Sequence, residues 1–185
     1  MKDKVNDADA FALSLLEESK RFLEKAKAAD PEDIPPFLHA ALLLSFCSLE
    51  AHVNAIADDF ATEISDLTLH EIGLLREKEV RLEDGRFVLS NTLRMVRLED
   101  KIRFICSRFG RKKPVDFSES WWTKLTDAIR VRNELTHPKG SVALKAESVA
   151  AAIEAIIGTL DAMYLGIYGN GFPAAGLRLD THLTF

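Results

Sequence analysis

The chain is poor in cysteine: Cys47 and Cys106 are the only two among 185 residues. Both fall inside apolar helical patterns, where cysteine reads as a small buried hydrophobe, so nothing calls for a disulfide framework and a reducing cytoplasm suits them. Long uncharged runs are also missing. No stretch reaches the eighteen or so uncharged residues of a membrane span, and the opening Met1 to Asp9 has no apolar leader core. The expectation is a soluble cytoplasmic protein with no membrane partner. Basic charge is in deficit, and a net charge of −5 argues against a general nucleic-acid coating protein. Repeats, low-complexity tracts and phosphate-cradling glycine loops are absent. His39, His52, His70 and His182 have no ligand spacing with one another or with the cysteines, so no metal and no cofactor is expected. Nothing sets Ser, His and Asp in the strand-turn-helix context of a hydrolase triad.

What is present is ordinary globular composition, 47% hydrophobic and 29% charged, in a length that suits one domain with its own core. The pattern predicts an all-α, up-and-down bundle of about five main helices with one irregular insertion. The domain spans residues 1–171, with 172–185 as a loosely attached tail. A first helix is predicted from Ala8 to Ala28, capped by Asp7, with Phe11, Leu15, Phe22 and Ala26 on one face. A second starts at Pro35-Pro36 and runs to Glu63. It carries Leu38, Leu42, Ser45, Leu49, Val53, Ile56 and Phe60 inward, and is apolar nearly all round from Ala40 to Cys47. A short helix follows around Thr68 to Lys78, and Asp84-Gly85 between two apolar triplets has the sequence of a hairpin turn or of a loop.

A third helix is expected from Ser90 or Asn91 to Phe109, with Gly110 as its stop. Asp116 and Glu119 stand at capping-box spacing ahead of a fourth, roughly Ser118 to Thr136. A fifth, Glu147 to Ile167, turns Val149, Ile153, Ile156, Leu160, Met163 and Ile167 inward. Charge is unevenly spread. Residues 91–113 hold eight cations against Glu99 and Asp100, +6 net, which leaves −11 for the remainder. Arg94, Arg97, Lys101 and Arg108 share helical spacing and would form a basic strip extended by Arg111, Lys112 and Lys113, which suits an RNA backbone or an ordinary solvated face. Trp121 and Trp122 would stack on bases, or divide between core and interface.

On the fourth helix Trp122, Leu125 and Ile129 advance by three and four residues, and the next position in the series is Arg132. A guanidinium keeps its charge, so at a core-facing position it needs an acidic partner, a subunit interface or an anionic ligand. Asn133 and His137 share a face, whereas Arg132 and His137 lie roughly 140° apart on an ideal helix. Pro138 disfavours helical geometry at His137 and so puts it at the terminus. Histidine exchanges protons near neutrality and arginine offers forked donors to phosphorane-like charge, a pair suited to phosphodiester cleavage. The same residues also make a good C-terminal cap, with cations at the negative end of the helix dipole.

Arg132-Asn133 followed by His137-Pro138 resembles the Arg-[Asn/Asp/His]-x(3-5)-His motif of the HEPN superfamily, which ends a late helix that one further helix follows. Ser48-Leu49-Glu50-Ala51-His52-Val53-Asn54 is similar to the family's polar-marked early helix, and the likeness covers roughly Phe37 to Ile167. The resemblance implies a helical bundle that pairs as a homodimer, with two motifs converging on one composite cleft where Arg132, Asn133 and His137 act on RNA. The products would carry 2′,3′-cyclic phosphates, and Glu50 would pair with Arg132 from the neighbouring helix. It also implies a defence or toxin-antitoxin setting, with an antitoxin or another protein as partner, or alternatively a non-catalytic module for dimerisation and RNA or protein binding. Toxin members paired with a nucleotidyltransferase extend the motif to His-x-Tyr. Here Lys139 stands two after His137, so tyrosine modification is not implied.

Overall fold

The computed structural model describes the backbone of residues 7–185 and side chains from Asp9 onward. The opening residues 1–6, expected to carry no leader core, and the cap expected of the Asp7 side chain lie outside what it describes. Among the described residues, six α-helices, a two-stranded sheet and a short 3₁₀ turn follow in order: α1 (Asp7–Ala28), α2 (Ile34–Glu63), α3 (Leu69–Leu75), β1 (Lys78–Glu83), β2 (Arg86–Leu93), α4 (Leu98–Phe109), α5 (Ser120–Thr136), α6 (Ala146–Tyr168) and the turn Ala175–Leu177. The architecture is predominantly helical, with the hairpin as a genuine β insertion instead of a purely helical bundle of five.

The core forms where apolar stripes meet. Helix α2 begins on prolines, whose fixed φ and missing N–H suit a first turn, and buries Leu38, Leu42, Ser45, Leu49, Val53 and Ile56. All six positions predicted to face inward on α6 are buried, and Gly169 ends that helix at φ 80°. By length and composition α2 and α6 come closer to a membrane span than the shortness of the uncharged runs implies. Their most apolar windows are 61% and 56% buried within the bundle, as central core helices are.

Helix α1 corrects its predicted face. Phe11 is 62% exposed and Leu15 and Phe22 are only half-buried, while Ala26 is buried as expected, in the series Ala12, Leu16, Ser19, Leu23 and Ala26. Small residues at three of those positions let α1 lie close on α2, where Ser48 Oγ donates to the carbonyl of Ala12 at 2.7 Å. The tail is another correction, because it is not loose. Phe172 and Ala174 are buried, Phe172 N–H donates to Asp161 at 2.9 Å, and Arg21 donates to the carbonyl of Phe185 at 2.7 Å. Apolar anchors at Phe172 and Ala174 explain why the tail stays down.

Asp84 and Gly85 both take positive φ, 49° and 77°, so the turn has the left-handed pair that a tight hairpin requires. Pairing runs Glu83↔Arg86, Leu82↔Phe87, Arg81↔Val88 and Val80↔Leu89, then slips before closing at Lys78↔Leu93. Strand β2 thus takes in residues that helical spacing places in a helix from Asn91, and α4 starts only at Leu98. The capping box sits at α3, where Thr68 Oγ1 accepts from Glu71 N–H and the Glu71 carboxylate accepts from Thr68 N–H. At Asp116 no box forms. Its carboxylate accepts from Ser118 N–H at 2.8 Å, and α5 begins later, after Glu119.

Candidate functional site

Arg132 lies on α5 one turn past the buried Ile129, where the apolar stripe reaches the molecular surface. Its Nη1 donates to Glu50 Oε1 on α2 at 3.2 Å, with the two side chains 23% and 45% exposed. The guanidinium carbon stands 5.0 Å over the ring of Phe46, one turn before Glu50 on α2, in a cation–π arrangement. Arg132 Nε is shielded and has no hydrogen-bond partner among the described residues. Thus α2 supplies both the counter-charge and the platform that hold the arginine, while part of its donor capacity is left over. Phe46 carries no signal in the sequence beyond its place in an apolar run.

His137 follows the last residue of α5 as its cap, at φ −129° and ψ 59°, and its N–H donates to the carbonyl of Asn133 at 2.9 Å. Its ring is exposed. Arg132 and His137 do not line one cleft in a single chain. Arg132 borders a cleft of about 290 Å³ with Glu50, Asn54 and Arg97, whereas His137 borders a cleft of about 850 Å³ with Arg130, Lys139 and Ser141. Asn133, Glu99 and Ile129 line both, so the clefts adjoin across Asn133.

The basic strip is dispersed, which corrects its reading as one helical face. Arg94 and Arg97 precede α4 instead of riding on it. Lys101 is buried, its side chain 3% exposed, and its ammonium donates to Asn54 Oδ1 at 2.6 Å and Glu77 Oε1 at 3.1 Å. Arg108 is bound to Glu71 at 3.0 Å and Asp66 at 3.4 Å; the bond from Thr68 N–H, together with Arg108, holds the Glu71 carboxyl below the usual carboxylate range. Arg111, Lys112 and Lys113 are exposed at the far end of α4, whose twelve residues rise about 18 Å. The N–H groups of Lys112 and Lys113 both donate to the carbonyl of Gly166, at 3.0 and 3.3 Å. Arg103 stacks on Trp122 at 4.3 Å and on Phe117 at 4.7 Å, which ties the buried Trp122 into the core.

Cys47 corrects its buried reading: it is exposed on α2. Partial burial and the charge of Glu50 raise its pKa while Arg132 lowers it, so the thiol sits within the field of the Arg132–Glu50 pair. Cys106 is buried, and burial pushes its thiol up to about 12. No family model, curated protein or solved structure was found to match the chain.

Proposed function

We propose that this chain is an HEPN-like, metal-independent endoribonuclease that works as a homodimer in a defence or toxin-antitoxin setting. His137 accepts the proton of a ribose 2′-hydroxyl, the 2′-oxygen attacks the adjacent phosphorus, and the 5′-oxygen leaves with a proton from the His137 of a second copy. The products are a 2′,3′-cyclic phosphate and a 5′-hydroxyl. Arg132 stabilises the charge that develops on the phosphorane oxygens, and Asn133, which lines both clefts, orients the phosphate. The observation that carries the reading is the state of Arg132. It is held by Glu50 and Phe46 in the wall of a cleft, with Nε sheltered and unpartnered among the described residues, beside the asparagine that reaches the His137 cleft.

The Arg132–Glu50 pair also favours one alternative: a non-catalytic HEPN module for dimerisation and RNA or protein binding, in which the pair is a structural clamp. Incubating purified protein with mixed RNA in EDTA separates the two. The catalytic reading expects cyclic-phosphate ends that His137→Ala abolishes. RNA left intact by the parent, or cut equally by the mutant, overturns it in favour of the clamp.

A further inference from the structure

A third cleft, of about 430 Å³, opens between α3, the hairpin and the segment leading into α4, bordered by His70, Lys78, Arg94 and Arg97. Met95, Val96 and Arg97 line this cleft and also the Arg132 cleft. Because the Arg132 and His137 clefts in turn share Asn133, Glu99 and Ile129, the three clefts adjoin in series, a run taken together as the trough. The motif residues lie in its middle and at one end, and the hairpin insertion walls the other.

The charge along the trough is opposite in sign to that of the chain. Seven Lys and Arg residues and five Asp and Glu residues line it, +2 on a protein of −5. Four of those cations are matched by acids beside them: Lys101 with Glu77 at 3.1 Å, Arg132 with Glu50 at 3.2 Å, Arg130 with Glu134 at 3.4 Å and Arg97 with Glu99 at 3.5 Å. What remains is Lys78 and Arg94 at the hairpin end and Lys139 at the other, against Asp100 alone. Among the described residues, the uncompensated positive charge therefore flanks the motif on both sides. Between them Met95 stands 83% exposed on the shared wall, a polarisable apolar surface that covering would favour.

We infer that the trough is a binding path for single-stranded RNA, its backbone held by Lys78 and Arg94 at one end and Lys139 at the other, with a base resting on Met95. This rests on the nuclease reading for its substrate and extends it to residues outside the motif. An unpaired strand can splay a base into a cleft of about 290 Å³ beside Arg132, which a base held in a duplex stack does not do. Lys101 and Arg108, bound into acidic partners, and Arg111 to Lys113, at the far end of α4, take no part.

The test uses full-length His137→Ala protein, a short fluorescein-labelled single-stranded RNA and anisotropy over a range of salt. Lys78→Gln with Arg94→Gln is expected to weaken binding roughly tenfold per cation and to reduce the salt slope by about 0.7 for each phosphate left without its cation. Met95→Ala is expected to weaken binding with the slope unchanged, Arg94→Lys to restore the slope, and Arg111→Gln with Lys112→Gln to change nothing. Thermal melts check that each variant folds. Unchanged affinity and slope in the Lys78/Arg94 variant overturn the trough even where the parent cleaves RNA, and so does preference for duplex RNA or for a protein partner. Binding that depends on Lys78 and Arg94, in a parent that does not cleave, upholds the trough and overturns only the catalytic reading.

Discussion

Lys101 and Glu77 meet at 3.1 Å beneath the root of the hairpin, the lysine side chain 3% exposed and the glutamate side chain 25% exposed. The asymmetry sets which member of the pair is harder to lose. Glu77→Gln leaves a buried ammonium without its counter-charge, whereas Lys101→Met leaves a carboxylate that still reaches water, and fills the lysine's space with apolar atoms. Glu77→Gln is expected to destabilise by about 2–3 kcal/mol and Lys101→Met by less than about 1 kcal/mol, read from urea midpoints. The reverse ranking would show that Lys101 is solvated.

A second prediction uses Cys47 as a reporter of the site without any RNA. Its thiol is raised by burial and by Glu50 and lowered by Arg132, so the three side chains share one field. Glu50→Gln is expected to speed alkylation by iodoacetamide below pH 9, and Arg132→Ala to slow it, because only the thiolate reacts. Cys106, buried with its thiol at about 12, stays unmodified until the protein unfolds. Equal rates in all three proteins would mean that Arg132 and Glu50 are not placed beside Cys47.

A pH effect follows from His52. Its ring is buried edge-on to Phe172 at 5.2 Å and Tyr164 at 6.4 Å, and neither nitrogen has a hydrogen-bond partner among the described residues. Burial pulls its pKa below the ordinary 6.5, with Asp9 opposing, while burial lifts the Tyr164 phenol to about 12 and keeps it neutral. Unfolded chains take up a proton that the folded chain refuses, so stability is full above pH 6.5 and falls as pH drops below it. His52→Phe is expected to remove this component. Equal losses in parent and variant between neutral pH and about pH 5, by urea unfolding, would rule it out.

Two glycines, one at the hairpin tip and one on α3 beneath it, should respond differently to alanine. At Gly85, φ 77° and with no atom of the described residues within 4 Å of a would-be Cβ, only the backbone objects, at about 1 kcal/mol. At Gly73 the added carbon would stand 2.9 Å from the carbonyl oxygen of Lys78 and 3.0 Å from Val80 Cγ2, pushing the hairpin off α3 at a cost of about 1–3 kcal/mol. Thermal melts of the two variants give the comparison, and amide exchange at Val80 and Leu89 should rise in the Gly73 variant only.

Residues of one type repeating along one face are readable from the chain, and relationships between elements are not. Leu125 and Ile129 announce the inner face of α5, so Arg132 stands out as an interruption, and Pro138 marks the helix end at His137. On α1 the aromatics point to a face through Phe11 and Phe22, while the buried face runs through Leu16 and Leu23 with Ala12 and Ser19, small residues whose place is decided only against α2. The span from Ser90 to Leu93 reads as helix because the lysines and arginines beyond it keep helical spacing. Its strand character comes from pairing back to Lys78, a relationship that local periodicity does not carry. The Lys101 side chain reads as solvated for the same reason, since Glu77 and Asn54 meet it only in three dimensions.

Glu77 closes the hairpin at its base in two ways, since its carbonyl accepts from Arg94 N–H at 2.8 Å and its carboxylate holds Lys101. The two strands are therefore clamped together at the end nearest the trough, and their free end at Asp84-Gly85 points into open space. Material can be spliced in at that tip without transmitting strain to the clamp. An epitope or a fluorescent peptide inserted between Asp84 and Gly85 would give a handle on the folded protein that leaves the arginines beyond the clamp where they stand.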